Sequence, residues 1–383
     1  MLFYIFLTAL SIIASFLILK FTIAPYIWLC LLWIIFFLAC FFRTNRTLLK
    51  ALFVYPIAIL LTLGIFETYL WFKFQQKESM LQYENKDYSQ PHDILGYAPQ
   101  KDIVTTSRNY HGNELLYDVT YSINPYGLRV TPEPTKKDKK ACILFFGGSF
   151  TFGEGVNDEQ SMPYLVGLKS GYRTYNFGFH GYGPHQMLAA LEHDLVEETI
   201  DCMPTHIIYQ VIMGHVSRSA GHSRWDKHGP KYILGEDGKV KYQGHFDDQT
   251  ISSWLGKVRD KSTIYRKIFQ NGSYIFVNKQ DVELFIQIVN SAKKISKHLF
   301  KESLFHVILW DPSPSSNDTN VQHYNMIMKG FNKNHIRVHL VSDILPSYKN
   351  KVKYAISPHD WHPNYLAHDL ISYYIVDTII NSH

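Results

Sequence analysis

Three apolar stretches near the amino terminus constrain the fold of this chain more than any other feature of its sequence. Met1–Leu19 and Phe21–Phe42 carry no charged residue, and Ala51–Phe72 carries only Glu67. A hydrocarbon core of roughly 30 Å is crossed by about 20 apolar residues in a helix. We therefore predict about three transmembrane helices within residues 1–73, with a short turn between the first two.

Two other interpretations of the first stretch stay open. It has about the length of a signal peptide, although no positively charged segment precedes its apolar residues and no small-residue cleavage site follows them. The first two stretches also fit a single long buried helix.

The basic residues between the second and third stretches predict the orientation in the membrane. Arg43, Arg46 and Lys50 lie together there, and short loops rich in Lys and Arg favour the cytoplasmic side. The residues after Lys73 are then extracytoplasmic. We expect a multi-pass protein of the inner (cytoplasmic) membrane whose larger domain faces the periplasm or the exterior.

The net charge and the cysteine content limit which molecules and metals the protein can be expected to bind. The net charge of +5 is modest, and no basic cluster of the kind that binds nucleic acid is present. The run Lys136–Lys140 is interpreted as a solvated linker, with contact to anionic lipid as the alternative. No metal-binding spacing of Cys or His occurs, so we expect neither a metal nor a cofactor. Cys142 and Cys202 lie in the outer domain, where a disulfide can form, and their pairing is left open.

Residues 74–140 are polar and irregular, and we interpret them as an extended linker that contains a β-hairpin. The alternating segments Leu115–Ile123 and Gly127–Val130 flank the turn signal Asn124–Gly127. Residues 219–278 are the least patterned part of the chain. They are expected to form loops and irregular helices over one face, and a lid is one open role for them.

From residue 141 to 383 short apolar strands alternate with helical patterns. The five predicted strands are Ala141–Phe146, Tyr172–Phe177, His206–Ile212, His306–Trp310 and Ile336–Val341. The predicted helices are Glu159–Ser170, Gln186–Glu198, Val282–Phe300, Asn320–Lys333 and Asn364–Ile380. This alternation predicts an α/β domain with a parallel sheet and helices on both faces. Ligands of such sheets bind at the carboxyl ends of the strands.

Two loops in this domain contain residue types that support nucleophilic catalysis. Ser149 follows Gly147 and Gly148 at a strand-to-helix turn, a geometry that exposes a serine beside backbone N–H groups. Taken alone, such a turn also binds phosphate or merely redirects the chain. Asp360 and His362 share a loop before the last helix, so that the histidine can act as a general base oriented by the aspartate.

A third loop, Asn176–Gly183, contains three glycines that let a backbone N–H approach a substrate closely, although an ordinary turn explains it equally well. In combination and in chain order, the loops resemble the blocks of the SGNH/GDSL hydrolase family. The segments that carry the resemblance are GGSFTFGEGV, NFGFHG and DWHPN, preceded by INPYGLR, and they lie within about residues 95 to 383.

The resemblance implies a flavodoxin-like three-layer α/β/α fold with a five-stranded parallel sheet, and ester hydrolysis by a serine nucleophile. It assigns Ser149, Asp360 and His362 to a catalytic triad and Gly181 to the oxyanion hole. Two positions depart from the family pattern. Gly148 stands where the first block usually has Asp, and the Asn of the third block falls on Gly214, with His215 next to it. Gly214 has only a backbone N–H to offer, whereas His215 can donate from its side chain or line the pocket.

We therefore predict a membrane-anchored serine esterase that removes acyl groups, O-acetyl groups foremost, from an envelope glycan or lipid. Three alternatives follow from the same residues. The domain can transfer an acyl group to an envelope polysaccharide, hydrolyse phospholipid or lysophospholipid esters, or bind glycans without catalysis. The last alternative requires that turnover was lost together with the third-block Asn.

Overall fold

The described residues of the computed structural model fall into two compact units. One lies within residues 1–80 and 249–275, and the other within 81–248 and 276–383. The structure describes residues 2–22, 24–78, 81–85, 88–135, 141–223, 225–248, 261–269, 277–312, 318–348 and 351–381. The predicted basic linker at 136–140 lies outside the described residues.

The apolar amino-terminal region forms three helices, α1 (Leu2–Phe21), α2 (Pro25–Arg43) and α3 (Thr47–Glu78). Two apolar segments, Pro25–Arg43 and Thr47–Lys73, are long enough to cross a membrane, whereas the apolar part of α1 is shorter. At most 11% of the most apolar part of either segment is buried, so these are not core helices of a soluble domain. The region therefore has the properties of a membrane anchor or a signal sequence.

Residues 81–135 are more ordered than a linker. They form β1 (Leu81–Asn85), β2 (Ser89–His92), β3 (Gly96–Pro99), β4 (Ile103–His111) and β5 (Glu114–Ile123). Of the hairpin predicted between Leu115–Ile123 and Gly127–Val130, the turn and one antiparallel bridge, Ile123 with Arg129, are present, whereas β5 pairs along its length with β4. The side chain of Asn124 accepts hydrogen bonds from the N–H groups of Tyr126 and Leu128 and redirects the chain, which leaves Arg129 only isolated bridges.

The rest of the chain contains the following elements. They are β6 (Ala141–Phe146), α4 (Ser149–Phe152), α5 (Met162–Ser170), β7 (Arg173–Asn176), α6 (Pro184–Glu192), β8 (Met203–Ile212), α7 (Gly214–Ser219), β9 (Pro230–Leu234), β10 (Val240–His245), α8 (Thr263–Phe269), α9 (Lys279–Leu299), β11 (Leu304–Trp310), α10 (Asp318–Lys333), β12 (Arg337–Leu340), α11 (Val341–Ile344), β13 (Ala355–Ser357), β14 (Asp360–Pro363) and α12 (Tyr365–Tyr374). A π-helix, Ile375–Ile380, continues α12.

Five of these strands form one sheet in the order β12-β11-β8-β6-β7, and every pair in it is parallel. In chain order this is 2-1-3-4-5, the flavodoxin-like arrangement. The fold prediction is confirmed, and each of the five strands was located from the sequence. The central strands β6, β8 and β11 are mostly apolar because a parallel sheet is buried on both faces, whereas β7 and β12 at its edges contain polar residues.

Helices cover both faces of the sheet. Ile143 and Phe145 point to one face and pack with residues of α5, α12 and the π-helix. Leu144, which points to the opposite face, is also fully buried. Burial of each such side chain contributes about 1.5–3 kcal/mol.

A disulfide joins Cys142 in β6 to Cys202, just before the neighbouring strand β8, with 6.0 Å between the Cα atoms. The sequence left this pairing open, and the parallel alignment of β6 with β8 brings the two residues together. Cys30 and Cys40 in α2 are free.

The least patterned segment, residues 219–278, contains regular structure as well as loops. β9 and β10 pair as an antiparallel hairpin within the second unit. In the first unit, α8 is capped by Glu67 of α3. The Glu67 carboxylate accepts hydrogen bonds from the N–H groups of Thr263 at 2.5 Å and Ile264 at 2.8 Å, which satisfies the exposed donors of a helix start.

Candidate active site

The turn after β6 presents Ser149 at the carboxyl end of the central sheet. Ser149 is the first residue of α4, and Gly148 precedes it as the N-cap. Gly147 has a φ of +155°, and a Cβ there would lie 2.2 Å from Thr151 Oγ1. The Thr151 hydroxyl instead donates to Gln210 Oε1 of β8 at 2.8 Å. The turn therefore needs glycine at 147, and the neighbouring strand fixes its position.

Ser149, His362 and Asp360 are connected by hydrogen bonds. Ser149 Oγ lies 2.9 Å from His362 Nε2, and His362 Nδ1 lies 2.6 Å from Asp360 Oδ1. Asp360 Oδ1 also accepts the backbone N–H of His362 at 3.1 Å, and its side chain is 5% exposed. This is the geometry of a nucleophile, a base and a group that fixes the tautomer of the base.

A second carboxylate, which the sequence analysis did not assign, also lies at this centre. Glu154 Oε2 is 3.4 Å from His362 Nε2 and 2.5 Å from His180 Nδ1. On its other side, His180 Nε2 forms a hydrogen bond with the hydroxyl of Tyr88. Glu154 belongs to the GGSFTFGEGV segment, but its spacing from Ser149 alone gave no sign of this contact.

The charges of Glu154, His180, His362 and Asp360 shift the pKa values of Glu154 and His362. Burial alone would raise the pKa of Glu154, but the nearby His362 and His180 outweigh it and lower the pKa to about 2. Burial alone would lower the pKa of His362, but Glu154 and Asp360 outweigh it and raise the pKa. Glu154 is therefore ionised, and its charge stabilises the imidazolium form of His362 whenever that ring takes a proton.

Arg129 explains why INPYGLR precedes the serine block. Its guanidinium is fully buried and donates to the carbonyls of Phe152, Gly153 and Val156 at 2.6–2.7 Å. It also forms an ion pair of 2.8 Å with Asp158. Arg129 thus organises the loop that carries Glu154.

The predicted oxyanion residues Gly181 and Gly214 lie in the loop after β7 and at the end of β8. Gly181 has a φ of +73°, and a Cβ there would lie 2.2 Å from Trp225 Nε1. Trp225 Nε1 donates to the carbonyl of Gly181 at 3.4 Å. Gly214 is the first residue of α7, at the end of β8, and its carbonyl accepts from Ser217.

His215 is buried beside the nucleophile turn. Its Nδ1 lies 2.7 Å from the hydroxyl of Tyr209. Burial, followed by the charges of Arg218 and His185, lowers the pKa of His215 well below the usual value, so the ring is neutral. If the Tyr209 hydroxyl donates to Nδ1, the single ring proton of His215 resides on Nε2.

The two departures from the family pattern occupy the same space. A Cβ at Gly148 would lie 2.7 Å from Arg218 Nη1, 3.0 Å from the carbonyl of Tyr182 and 3.2 Å from His215 Nε2. The guanidinium and the imidazole therefore fill the volume into which an aspartate at 148 would project. The loss of the first-block Asp and the presence of His215 are physically linked.

A buried pair holds the loop that covers Gly181. His185 Nε2 lies 2.7 Å from Asp226 Oδ2, which also accepts from Gln186 at 2.8 Å, and both members of the ion pair are at most 1% exposed. Asp226 follows Trp225 directly. The sequence analysis did not identify this pair, because Asp226 lies in the unpatterned segment.

Three further side chains, His111, Glu114 and His359, bring their ligand atoms within 4.8 Å of one another. The rings of His111 and His359 are stacked at 3.6 Å with 8° between their planes. The lone pairs of stacked imidazoles lie in parallel planes 3.6 Å apart and therefore do not converge on one ion. In this arrangement the cluster is an aromatic stack.

No protein-family model and no curated protein sequence matches the chain. Solved structures do match. A member of the lipolytic G-D-S-L family from Veillonella parvula is 12% identical with a TM-score of 0.36, over 63% of this chain and 98% of that one. An acetyl xylan esterase from Butyrivibrio proteoclasticus is 13% identical with a TM-score of 0.37, over 66% and 65%. A family-two carbohydrate esterase from Clostridium thermocellum, solved with cellohexaose, is 9% identical with a TM-score of 0.38, over 66% and 67%.

The strand order defines a flavodoxin-like α/β fold with a five-stranded parallel sheet. The segments that contain Ser149 and His362 meet at its carboxyl edge.

Proposed function

We propose that the protein is a membrane-anchored serine esterase that hydrolyses acyl esters, O-acetyl groups foremost, on an envelope glycan. The observation that carries the proposal is the hydrogen-bonded series Ser149–His362–Asp360, with 2.9 Å and 2.6 Å between the atoms. Ser149 is 213 positions from His362, and the two meet in an arrangement that can activate a serine hydroxyl.

The reaction proceeds in two steps. His362 Nε2 takes the proton of Ser149 as Oγ attacks the ester carbonyl, and Asp360 stabilises the imidazolium. His362 then protonates the leaving alkoxide, so that the alcohol departs and an acyl-serine remains. Water enters, gives its proton to His362 and releases the acid, and the proton returns to Ser149.

The oxyanion of each tetrahedral intermediate needs hydrogen-bond donors. We assign this role to the backbone N–H groups of Ser149 and Gly181, with a further contribution from Gly214 or His215. A neutral histidine held in one tautomer by Tyr209 suits the role, because it donates a hydrogen bond without adding a charge to the resting site.

Two features support an extracytoplasmic domain attached to a membrane. Few residues of the apolar helices α2 and α3 are buried, and both helices suit a lipid environment. The Cys142–Cys202 disulfide is the kind of bond that persists in oxidising compartments.

Two exposed tryptophans favour a glycan over a lipid as the substrate. Trp225 contacts Gly181 and is 60% exposed, and Trp361, between Asp360 and His362, is 55% exposed. Flat aromatic faces beside a catalytic serine offer amphipathic surfaces against which the C–H faces of sugar rings can pack.

The test is ester turnover by the full-length protein in detergent micelles, with p-nitrophenyl acetate, butyrate and laurate and with acetylated xylan as substrates. We expect acetate to be released fastest and Ser149→Ala to lower kcat at least about 10³-fold. Ser170→Ala, at the far end of α5, is the matched control and should retain wild-type turnover.

Other outcomes select the alternatives. A preference for laurate indicates a lipid esterase, and acetyl transfer to an added sugar in preference to water indicates an acyltransferase. Equal turnover by wild type and Ser149→Ala on every ester would refute serine catalysis and leave a glycan-binding role.

A further inference from the structure

Glu154 lies where an ordinary triad has no carboxylate. Its Oε2 is 3.4 Å from His362 Nε2, the nitrogen that also faces Ser149 Oγ at 2.9 Å. Its side chain is only 13% exposed. A buried carboxylate carries a large desolvation cost, and here it is placed against the atom that exchanges the proton.

We propose that Glu154 is a second catalytic carboxylate, which stabilises the imidazolium formed when His362 takes the Ser149 proton. The inference rests on the proposed esterase function. In this step the Oγ–H bond of Ser149 breaks, the Nε2–H bond of His362 forms, and the Oγ electron pair attacks the carbonyl carbon.

The geometry surrounds the imidazolium with opposite charge on both nitrogens. Asp360 Oδ1 lies 2.6 Å from Nδ1 and Glu154 Oε2 lies 3.4 Å from Nε2. Before proton transfer Nε2 is a lone-pair acceptor that gains nothing from the carboxylate. After transfer it carries a proton and positive charge, so Glu154 stabilises the product of the step more than its starting state. Interactions of this differential kind accelerate the step.

His180 holds the carboxylate in this position. Its Nδ1 lies 2.5 Å from the same Glu154 oxygen, while its Nε2 contacts the hydroxyl of Tyr88. His180 itself is fixed by the Tyr97 hydroxyl, which donates to its carbonyl at 2.6 Å. Glu154 is therefore held in place by groups that are not the reacting atoms.

Other charged and titratable groups face this pair. Arg218 lowers the pKa of both Glu154 and His362, whereas Asp360 raises that of His362. Three tyrosines and one further histidine interact electrostatically with the pair, namely Tyr88, Tyr117, Tyr121 and His368. The phenols are neutral, because burial raises the pKa of each. The negative charge that acts on Nε2 therefore belongs to Glu154.

The experiment follows the rate at which a fluorophosphonate labels Ser149, from pH 5 to pH 9, in the full-length protein in detergent. Labelling requires the neutral form of His362 and does not require turnover. Glu154→Gln removes the charge and keeps the size. We expect the pH midpoint of labelling to move down and the plateau rate at high pH to fall roughly 10-fold, within the range of general-base contributions.

Glu159→Gln is the matched control, since it removes the same charge from an exposed residue of the same loop. Its midpoint and plateau should equal those of the wild type. If Glu154→Gln lacks a cooperative thermal transition, Glu154→Asp takes its place, because it retracts the charge by one methylene. A smaller downward move of the midpoint is then expected.

The outcomes separate the inference from the function on which it rests. The inference is overturned if Glu154→Gln lowers the plateau but leaves the midpoint unchanged, because a merely structural change slows labelling equally at every pH. Where Glu154→Asp is used instead, an unchanged midpoint in that variant overturns it. Wild-type protein that is not labelled at Ser149 refutes the esterase itself. Labelling of Ser149 without a shift in the variant leaves the esterase intact and removes Glu154 from its mechanism.

Discussion

Asn109 Nδ2 donates a hydrogen bond to Asp360 Oδ2 at 3.1 Å, across 251 positions of sequence. Asn109 lies in β4 and is fully buried, whereas Asp360 opens β14 next to the proposed base. Because Oδ1 of Asp360 is bonded to His362, both oxygens of the carboxylate have a partner. The hairpin that precedes the α/β domain is thus part of the site and not a spacer.

Asn109→Ala should weaken catalysis through Asp360. Loss of the amide leaves one oxygen of a buried carboxylate unsatisfied, which costs about 1–3 kcal/mol. We expect kcat to fall roughly 10-fold and the thermal midpoint to drop by a few degrees. Ester turnover and thermal denaturation check this, with the exposed Asn332→Ala as control. An unchanged kcat in Asn109→Ala would show that Asp360 keeps its place without β4.

The sequence predicted those parts of the molecule whose signals are local. The central strands are short, mostly apolar runs between helical patterns, and Ser149, Asp360 and His362 stand in short blocks whose order carries the family resemblance. The Ser149–His362 contact was expected from the family resemblance and not from the sheet, because β14, which carries His362, is not a strand of the five-stranded sheet.

The supporting residues could not be found in this way. Asn109 bonds to a residue 251 positions away, and Arg129 bonds to residues 23–29 positions away. The sequence around a buried polar residue does not indicate which group it contacts. The pairing of β5 with β4 was missed because turn residues flank β5 at both ends. In the sequence, Gly148 and His215 are two separate departures from the family pattern. Only the packing shows that His215 occupies space next to the missing side chain at position 148.

His215 offers a test of the proposed oxyanion hole. His215→Ala removes a neutral donor, and the loss of one such donor costs about 2.7–4 kcal/mol, or 10²–10³ in kcat. Tyr209→Phe should have a smaller effect, since it leaves the ring in place but releases its tautomer. The exposed His298→Ala is the control. Full activity of His215→Ala would assign the oxyanion to backbone donors alone.

Arg129 should be essential to the stability of the second unit. Arg129→Met leaves Asp158 and three carbonyls without their buried partner, and breaking a buried charge pair costs about 3–5 kcal/mol. Arg129→Lys should recover only part of this, because an ammonium cannot reproduce the planar set of donors. Chemical denaturation measures both changes. Equal stability of the Lys variant and the wild type would contradict the role of the guanidinium geometry.

A pH dependence of stability is expected from His368 in α12. Its Nδ1 accepts the backbone N–H of Met162 at 3.1 Å, at the start of α5, so the folded state requires the neutral ring. Burial, followed by the charges of Arg129 and His362, lowers its pKa from 6.5 to about 3. Between these two values the unfolded chain binds the proton and the folded chain does not. Stability is therefore lost as the pH falls below about 6.5, with a slope of up to about 1.4 kcal/mol per pH unit from this one group.

His368→Asn removes the titration while retaining an oxygen that can accept the N–H of Met162. We expect lower stability than wild type at pH 7 but a shallower decline of the thermal midpoint between pH 7 and pH 4. His335→Asn is the matched control, because His335 is exposed and has a φ of +51°, which asparagine tolerates. Its pH profile should parallel that of the wild type. If the decline is as steep in His368→Asn as in His335→Asn, other groups cause the acid sensitivity and the neutral ring of His368 is not the reason for it.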